Sequence, residues 1–539
     1  MSTTETAAYD YVIVGGGSAG SVVASRLAAA QPDATVLMIE AGPRGRGVAQ
    51  IVDPPQWTKL CGTALDWGYR YAPSEHVAGR AIPVARGKVL GGCGAVNAMH
   101  WFRGHPGDYD AWERAGATGW NYATLLPYFR RSEDWEGGPS AHRGRGGPMQ
   151  VTRPADPHPV ASALVEGAAE LGLAKLDDPN SGETWGATLA NLNIADGRRF
   201  SVVDGYLPAW APPPAPGQVP VGAWARAPAP PPNLTVLTGS TAIRLGFGPG
   251  RRCESVFHTV RGTLRRTRAR AGVVLALGAF GTPELLIRSG IGDPAALRAL
   301  GVGTVAALPG VGRNLQDHPL LMGMNFRARR RLGLARDNGG GAIMNWPSSR
   351  ASRPDLHAFV VQGRHADPGS AMRYGMAGAA DVFAISPGLL GPASKGRLTV
   401  RDAAKSGPGA VEIDAGFLTE RQDLDALVEA MDMITDLAAT AAYADLIDKP
   451  LTPPARLSKA GKEAFVRENC STFFHPCGTA AMGSGEGAVA DPHLNVIGVH
   501  GLRIADASVI PVIPAGSTEA AVIAVAERAA DLITAAINS

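Results

Sequence analysis

A chain of 539 residues that is 45% hydrophobic and 18% charged is long enough for two or more domains and apolar enough to bury a large core, which excludes a disordered protein. Lys and Arg total 51 against 48 Asp and Glu, so the net charge of +3 gives no reason to expect nucleic acid as a partner. No run of 18 apolar residues is present, and no basic segment precedes the first apolar stretch. We therefore expect no membrane span and a cytoplasmic location.

The five cysteines are few, odd in number and widely separated along the chain. None forms a CxxC pair or a Cys/His spacing of the kind that binds zinc. We therefore expect neither a disulfide framework nor a bound metal. The cysteines are Cys61, Cys93, Cys253, Cys470 and Cys477.

The chain begins with the pattern of a strand, a glycine turn, a helix and a second strand. Apolar runs at 9–14 and 35–40 predict buried strands, and the spacing at 18–30 predicts a helix between them. We expect an α/β fold with a parallel sheet that starts at residue 9. Further strands are predicted at 234–237, 256–260 and 272–277, and further helices at 283–288, 424–438 and 518–536.

Three glycines mark a dinucleotide site at the turn between the first strand and the helix. Gly15, Gly17 and Gly20 form GxGxxG, which lets the backbone approach a pyrophosphate at the positive end of the helix. Glu40 ends the second strand, where a carboxylate can accept hydrogen bonds from ribose hydroxyls and disfavours a 2′-phosphate. This arrangement alone leaves FAD and NAD both open.

The segment 211–232 is so rich in proline that neither a helix nor a central strand can form there. We expect a surface insertion loop. The alternative to a loop without function is a cover over the substrate pocket, for which Trp210 and Trp224 are the candidate residues.

Five motifs, in order, resemble those of the glucose-methanol-choline (GMC) oxidoreductases over nearly the whole chain. They are YVIVGGGSAGSVVASRL with MIEAGP, GKVLGGCGAVNAMHWFRG, GAFGTPELLIRSGIG, LPGVGRNLQDH, and FFHPCGTAAMG with GLRIADASVIP. The resemblance implies a Rossmann-like FAD-binding domain built from the discontinuous segments 1–155, 233–320 and 466–539. It also implies a sheet-based substrate-binding domain at 156–232 and 321–465, which makes the fold a two-domain α/β or α+β one.

The resemblance also implies which residues hold FAD. Val96 stands where some family members carry a histidine bonded to the flavin, so we expect noncovalent FAD. Asp506 is expected to contact the ribityl chain or a phosphate of FAD, and capping of the local backbone is its alternative role. The predicted cofactor-binding residues are Gly15, Gly17, Ser18, Ala19, Gly20, Glu40, Ala41, Gly87, Val89, Gly92, Asn97, Ala98, Met99, Ala242, Asp506, Ala507 and Thr518.

Alcohol oxidation by a flavin requires a base for the hydroxyl proton while the carbon-bound hydrogen leaves as hydride to flavin N5. A neutral histidine is well suited to that role. The resemblance implies that this base is His475 and that its catalytic partner, an asparagine or histidine in the family, is Ser517 here. Serine is shorter and does not titrate as histidine does. Asp317 and His318 are expected to fix a loop rather than to perform chemistry.

Trp101, Phe473 and Glu519 are predicted to bind the substrate, although aromatic residues at such positions more often belong to the core. For Glu519 we leave open whether it faces the site or only stabilises the first turn of its helix. The predicted reaction converts a primary alcohol to an aldehyde and passes the electrons to O2 or a quinone-type acceptor. An aromatic or heteroaromatic substrate is favoured, because the short Ser517 leaves space.

Two other functions stay open on the sequence alone. One is an FAD-containing enzyme similar to the hydroxynitrile lyases, against which the missing histidine at 517 argues. The other is a redox-inactive flavin-binding protein. The oligomeric state is also open.

Overall fold

Two large sheets organise the chain in the computed structural model, which describes residues 4–5, 8–45, 47–211, 231–376 and 378–538. The first sheet is mixed and contains the N-terminal βαβ unit, and the second is antiparallel. Most of the predicted insertion loop at 211–232, including Trp224, lies outside the described residues.

The first sheet has its parallel strands in the buried core. Leu275 pairs with Val14 on one side and with Ile504 on the other. Val12, Val14 and Ile39 on these strands are fully or almost fully buried, and the helix Ser18–Ala30 packs against the strands Tyr9–Val14 and Val36–Ile39. In order, the sheet consists of Leu234–Leu237, Val36–Ile39, Tyr9–Val14, Thr263–Leu275, Cys253–Val260 and Ser240–Phe247, with Thr4–Glu5 and Leu502–Ile504 also paired to Thr263–Leu275.

The second sheet is covered by helices on one face only. Along its strand Leu356–Val361, the side chains of Leu356, Ala358 and Val360 belong to the core. His357 and Phe359 alternate with them and line a cavity on the other face. The strand order is Ile447–Thr452, Asn325–Ala328, Val382–Leu389, Leu356–Val361, Ala342–Trp346 and Gly186–Leu189, with Pro319–Leu321 and Cys470–Thr472 paired at one end.

The described α-helices vary from single turns to the long C-terminal helix. They are Ser18–Ala30, Ala49–Val52, Pro106–Arg114, Tyr122–Ser132, Pro159–Glu170, Val202–Tyr206, Gly278–Arg288, Pro294–Ala299, Pro368–Arg373, Arg421–Ala438, Ala441–Ala444, Lys459–Asn469 and Thr518–Asn538. Ser18–Ala30 packs against Thr518–Asn538, whereas Pro159–Glu170 and Arg421–Ala438 cover the second sheet. Short paired strands lie at Tyr69–Tyr71 with Ile82–Val84, Glu133–Trp135 with Met149–Val151, Ile194–Ala195 with Arg198–Arg199, Ile291–Gly292 with Ala306–Ala307, and Arg397–Val400 with Val411–Asp414.

Two strands of the second sheet come wholly or mostly from segments predicted to belong to the FAD-binding domain. They are Cys470–Thr472 and Pro319–Leu321, of which Leu321 alone was assigned to the substrate-binding domain. The two halves of the molecule therefore meet at these strands. The predicted domain boundaries themselves stay a prediction.

The five cysteines are all free thiols. Among the described residues, no group of three or more His, Cys, Asp or Glu side chains is arranged to hold a metal ion. None of the described helices is both long enough and apolar enough to cross a membrane.

The helix predicted at 283–288 begins earlier, at Gly278, and therefore contains Pro283 in its interior. Proline usually stands at the start of a helix because it has no backbone N–H to donate, and a start at Pro283 agrees with that rule. The carbonyl of Ala279, one turn before Pro283, would otherwise lack a partner. The hydroxyl of Thr479 donates to it at 2.6 Å and replaces the missing bond.

We expect Thr479→Val to lower the free energy of unfolding by about 1–2 kcal/mol, because a buried carbonyl loses its only donor. The cost should be smaller in a Pro283→Ala background, where residue 283 can donate to Ala279. Urea unfolding of the four proteins in this double-mutant cycle measures the coupling. Equal costs in the two backgrounds would show that Thr479 does not compensate for the proline.

Candidate active site

The carboxyl ends of the parallel strands open onto one long cavity with two adjoining compartments. The nucleotide compartment runs along Gly15, Glu40 and Ala242, and the reaction compartment lies around His475 and Phe473. The two compartments share four lining residues, Arg86, Cys93, Thr518 and Glu519. A crevice at this edge of an α/β sheet is where such folds bind ligands.

The glycine turn is built for close backbone approach. Gly15 has a φ of +106°, and a Cβ there would lie 2.3 Å from the carbonyl oxygen of Ala276. Gly17 caps the helix Ser18–Ala30 without a side-chain hydrogen bond, and no acidic residue occupies the first turn. The free N–H groups of that turn can therefore bind an anionic pyrophosphate.

Glu40 is held at the second strand's end by two backbone donors. Its carboxylate accepts from the N–H of Gly16 at 2.9 Å and from the N–H of Gly42 at 2.7 Å. Burial raises the pKa of Glu40 to about 7 in spite of these bonds. The side chain lines the nucleotide compartment, where its remaining lone pairs can accept from ribose hydroxyls.

Most of the predicted cofactor residues line the cavity. Gly20 does not: a Cβ there would lie 1.8 Å from the carbonyl oxygen of Gly15, so this glycine serves helix–strand packing. Val89 is also outside the lining, because it is fully buried in a small apolar cluster with Ile51 and Leu60. Those that line the cavity are Gly15, Gly17, Ser18, Ala19, Glu40, Ala41, Gly87, Gly92, Asn97, Ala98, Met99, Ala242, Asp506, Ala507 and Thr518.

Asp506 fulfils the capping alternative as well as lining the cavity. Its two oxygens accept from the backbone N–H groups of Gly278 and Ser508 and from the hydroxyls of Thr282 and Ser508. The carboxylate thus ties the start of the Gly278–Arg288 helix to the segment after strand Leu502–Ile504.

Asn97 has a fixed amide orientation. Its Oδ1 accepts from the N–H of Met99 at 2.9 Å and from Nη1 of Arg199 at 2.8 Å, and both of these groups can only donate. The amide nitrogen is therefore the group that Asn97 offers to the reaction compartment. Arg199 is buried, and the sequence analysis did not single it out because it lies far from every motif.

His475 is anchored in the reaction compartment by Asp317. One oxygen of Asp317 accepts from the backbone N–H of His475 at 2.9 Å, and the other accepts from the hydroxyl of Tyr71 at 2.5 Å. Burial, with His318 and Arg86 nearby, lowers the pKa of His475 well below its usual range. The imidazole is therefore neutral at physiological pH and able to accept a proton.

His318 contacts the predicted base directly, with Nδ1 of His318 lying 3.0 Å from Nδ1 of His475. On the other side, the ring of Phe473 stacks parallel to that of His475 at a centroid distance of 5.8 Å. Asp317 thus holds the backbone of His475, and His318 adds a contact to the imidazole itself, whereas the sequence predicted only that the two residues fix a loop.

Ser517 lines the reaction compartment, but its hydroxyl is occupied by the backbone. The Oγ atom lies 3.0 Å from the carbonyl of His100 and 3.1 Å from that of Phe102, and it accepts from the N–H of Phe102 at 3.2 Å. A hydroxyl used in this way holds the 100–102 segment and is not free as a partner of His475. The predicted catalytic role of Ser517 stays a prediction.

The three predicted substrate-binding residues have different places. Phe473 lines the reaction compartment, as predicted. Trp101 is fully buried, with its indole N–H donating to Glu133 at 2.9 Å, so we leave it out of the substrate site. Glu519 faces both compartments and accepts from the hydroxyl of Ser18 at 2.9 Å, while burial raises its pKa to about 7.

Three further histidines line the reaction compartment, and the sequence analysis missed them. Burial lowers the pKa of His100 and of His365 to about 4 and that of His357 to about 3, so all three are neutral. Two signals were available: the alternation in LHAFV, which places His357 opposite the apolar residues of its strand, and the place of His100 inside the motif GKVLGGCGAVNAMHWFRG. His365 gave none.

Comparison with known proteins identifies the family. Two GMC oxidoreductase family models match the chain, one over residues 9–212 and 221–320 and the other over 392–526. The chain belongs to the GMC oxidoreductase family. It is therefore an FAD-dependent oxidoreductase that acts on alcohols.

Relatives of this GMC oxidoreductase match it over nearly their whole length. An uncharacterized GMC-type oxidoreductase of Mycobacterium tuberculosis is 35% identical, with 97% of this chain and 99% of the relative covered. The oxygen-dependent choline dehydrogenase of Brucella ovis is 32% identical, with 97% and 95% covered. The crystal structure of pyridoxine 4-oxidase from Mesorbium loti superposes with a TM-score of 0.88 at 34% identity, covering 97% of this chain and 98% of that one.

The residues of the nucleotide compartment fit FAD. An uncapped helix terminus at Gly17, a carboxylate at Glu40 and glycines at 87 and 92 line one continuous space that ends beside His475. At position 92 a Cβ would lie 2.7 Å from Cα of Gly17, so these two glycines allow their backbones to pack together. Val96 lines the reaction compartment and cannot form a bond to the flavin, in keeping with the prediction of noncovalent FAD.

We expect Gly17→Ala to weaken FAD binding at least about ten-fold, or about 1.4 kcal/mol, while the protein folds normally. A Cβ at 17 meets only Cα of Gly92, at 3.7 Å, so the substitution should disturb the binding of FAD and not the fold. Gly20→Ala is the matched control, since its Cβ clashes with Gly15 and should destabilise the fold itself. FAD titration of the apoprotein and circular dichroism distinguish the two effects. Unchanged FAD affinity in Gly17→Ala would remove this turn from the cofactor site.

We expect flavin reduction by an alcohol to slow as the pH rises through about 7, because Glu519 then gains a negative charge beside the flavin. Glu519→Gln should remove this decline. Stopped-flow absorbance between pH 6 and 8.5 measures this decline in the wild type and in Glu519→Gln. Glu40→Gln is the control, because it removes a carboxyl group from the nucleotide compartment alone. Identical profiles for the wild type and Glu519→Gln would show that Glu519 does not act on the reaction.

Proposed function

We propose that this GMC oxidoreductase oxidises a primary aromatic or heteroaromatic alcohol to the aldehyde, with His475 accepting the hydroxyl proton. Bound FAD supplies the hydride acceptor, and the electrons then pass to O2 or a quinone-type acceptor. The printed names of two relatives, a pyridoxine 4-oxidase and an oxygen-dependent choline dehydrogenase, support oxidation of an alcohol.

The observation that carries the proposal is that His475 lines the cavity with a neutral imidazole and with its backbone held in place. Asp317 holds the N–H of His475, and burial keeps the ring unprotonated. A neutral histidine within reach of a hydroxyl is a competent general base at pH 7. The alkoxide character that forms as the proton leaves lies beside the cation of Arg86, which lines the same compartment.

His318 supports the tautomer that this role requires. One proton lies between the two Nδ1 atoms, and it is bonded to only one of the two rings. If it is bonded to Nδ1 of His475, then Nε2 of His475 has a lone pair and can act as the base. The carbonyls of Leu390 and Pro514 lie near the His318 ring and favour its protonated form, and Nδ1 already faces His475, so we place the proton of His318 on Nε2. His318 then offers a lone pair at Nδ1, and we assign it the role of a positioning residue.

The walls of the reaction compartment support a planar substrate. The ring of Phe473 lies 5.6 Å from that of Phe359, and Phe102 and Leu390 complete an apolar lining. Aromatic faces at these distances bind a flat ring through offset and edge contacts. The short side chain of Ser517 adds no bulk to this wall.

We expect His475→Ala to retain FAD and to slow flavin reduction at least about 10²-fold, because a general base contributes about that factor or more. Ser517→Ala is the matched control from the same compartment, for which we expect a change of less than about ten-fold, the size of one neutral hydrogen bond. Anaerobic stopped-flow reduction with benzyl alcohol measures both. A rate in His475→Ala equal to that of the wild type would remove His475 from the mechanism.

The lyase and the redox-inactive binder that the sequence alone left open are disfavoured by membership of the GMC oxidoreductases. Anaerobic addition of alcohols separates the functions, because an oxidoreductase loses its flavin absorbance whereas a lyase or a redox-inactive binder does not. Readmitting air then shows whether O2 is the acceptor.

A further inference from the structure

His357 stands on the substrate-domain wall of the reaction compartment, on the strand Leu356–Val361. Its side chain is buried, with the residue only 7% exposed. The imidazole stacks on Phe102 at a centroid distance of 6.2 Å and meets the edge of Phe473 at 5.6 Å. It therefore belongs to the aromatic lining that a flat substrate would contact.

A chain of two hydrogen bonds fixes which nitrogen of His357 carries the proton. The backbone carbonyl of Thr184 lies 3.1 Å from the amide nitrogen of Asn345 and can only accept, so it determines the orientation of that amide. Oδ1 of Asn345 then faces Nδ1 of His357 at 2.6 Å. Because Oδ1 can only accept, Nδ1 must donate.

Nε2 of His357 therefore has a lone pair and no proton. It has no hydrogen-bond partner within the described ranges of the chain. Burial also lowers the pKa of His357 to about 3, so the ring stays neutral and the lone pair stays available. His357 lines the cavity, so a ligand that carries a donor can bond to this acceptor, whereas a ligand without one covers it and leaves it unpaired.

A comparison with His365, which lines the same compartment, shows what distinguishes His357. Nδ1 of His365 lies 2.6 Å from the hydroxyl of Ser386, which can donate or accept, so that contact leaves the tautomer of His365 free. His357 is fixed because the carbonyl of Thr184 can only accept, and this turns Oδ1 of Asn345, which can also only accept, toward Nδ1 of His357.

We propose that Nε2 of His357 is a fixed hydrogen-bond acceptor that selects alcohols whose ring carries a second donor, such as a phenolic hydroxyl or a ring N–H, in addition to the reacting hydroxymethyl group. This inference rests on the proposed function and narrows its substrate class. Ring ethers and unsubstituted rings leave the acceptor unpaired and bind less well.

The test compares a donor with its methylated counterpart. The donor ratio is the Kd of anisole divided by that of phenol, both measured by perturbation of the flavin absorbance, since neither compound has an alcohol carbon to oxidise. The matching kinetic pair is 3- or 4-hydroxybenzyl alcohol against the corresponding methoxybenzyl alcohol, compared by kcat/KM. Each ratio is measured in the wild type and in the variants, so the greater hydrophobicity of the methoxy compounds cancels.

His357→Phe keeps a flat ring but removes the acceptor, and we expect its donor ratio to fall at least about three-fold, the effect of one neutral hydrogen bond. His357→Gln supplies an amide oxygen and should restore part of the ratio. Asn345→Leu leaves His357 in place but frees Nδ1, so that Nε2 can take the proton. Its donor ratio should also fall, and anisole should bind more tightly than it does to the wild type. FAD content and far-ultraviolet circular dichroism report folding in each variant.

A donor ratio in His357→Phe equal to that of the wild type would overturn the inference, as would an Asn345→Leu variant that folds and keeps the wild-type ratio. The proposed function fails separately. If no benzyl alcohol bleaches the flavin while the phenol/anisole ratio still falls in His357→Phe, the acceptor is real and alcohol oxidation is not the reaction.

Discussion

The carboxylate of Asp317 is the interaction on which the reaction compartment depends. It accepts from the hydroxyls of Tyr71 and Thr472 and from the backbone N–H of His475, and it is buried. Those donors come from two segments of the chain, around residue 71 and at 472–475, so one buried acceptor joins them to its own segment where the two halves of the molecule meet. Removing it would leave three donors unpaired in the interior, at a cost of about 1–3 kcal/mol for each.

Burial also sets the chemistry of the compartment. Desolvation disfavours the charged form of every group, so the histidines become neutral bases and acceptors while Glu40 and Glu519 hold their protons to about pH 7. The same physical effect thus keeps His475 unprotonated, gives His357 an available lone pair and reduces negative charge beside the cofactor site.

The parts of the structure that could be predicted from the sequence are those encoded locally. Gly15, Gly17 and Glu40 follow from the order of strand, turn, helix and strand, and His475 lies in a compact motif with Phe473 next to it. The late start predicted for the helix Gly278–Arg288 shows the limit of local rules, because its extra turn depends on Thr479, far along the chain.

The remaining site residues depend on tertiary contacts. Arg199 and Asn345 act only through the orientation of another side chain, which no spacing in the sequence reveals. The sequence does not reveal that the hydroxyl of Ser517 is hydrogen-bonded to the backbone at 100–102. Motifs therefore predicted which segments meet at the cavity but not which atoms they leave free.

His475 acts as a base at neutral pH only if burial keeps its imidazole unprotonated. The most direct test is the rate constant of anaerobic flavin reduction by a saturating alcohol between pH 5 and pH 6.5. A pKa far below its usual range predicts a rate that stays level through this window, because the base is already unprotonated. A rate that falls about ten-fold for each unit below pH 6.5 would show an ordinary, solvated histidine and would contradict the account.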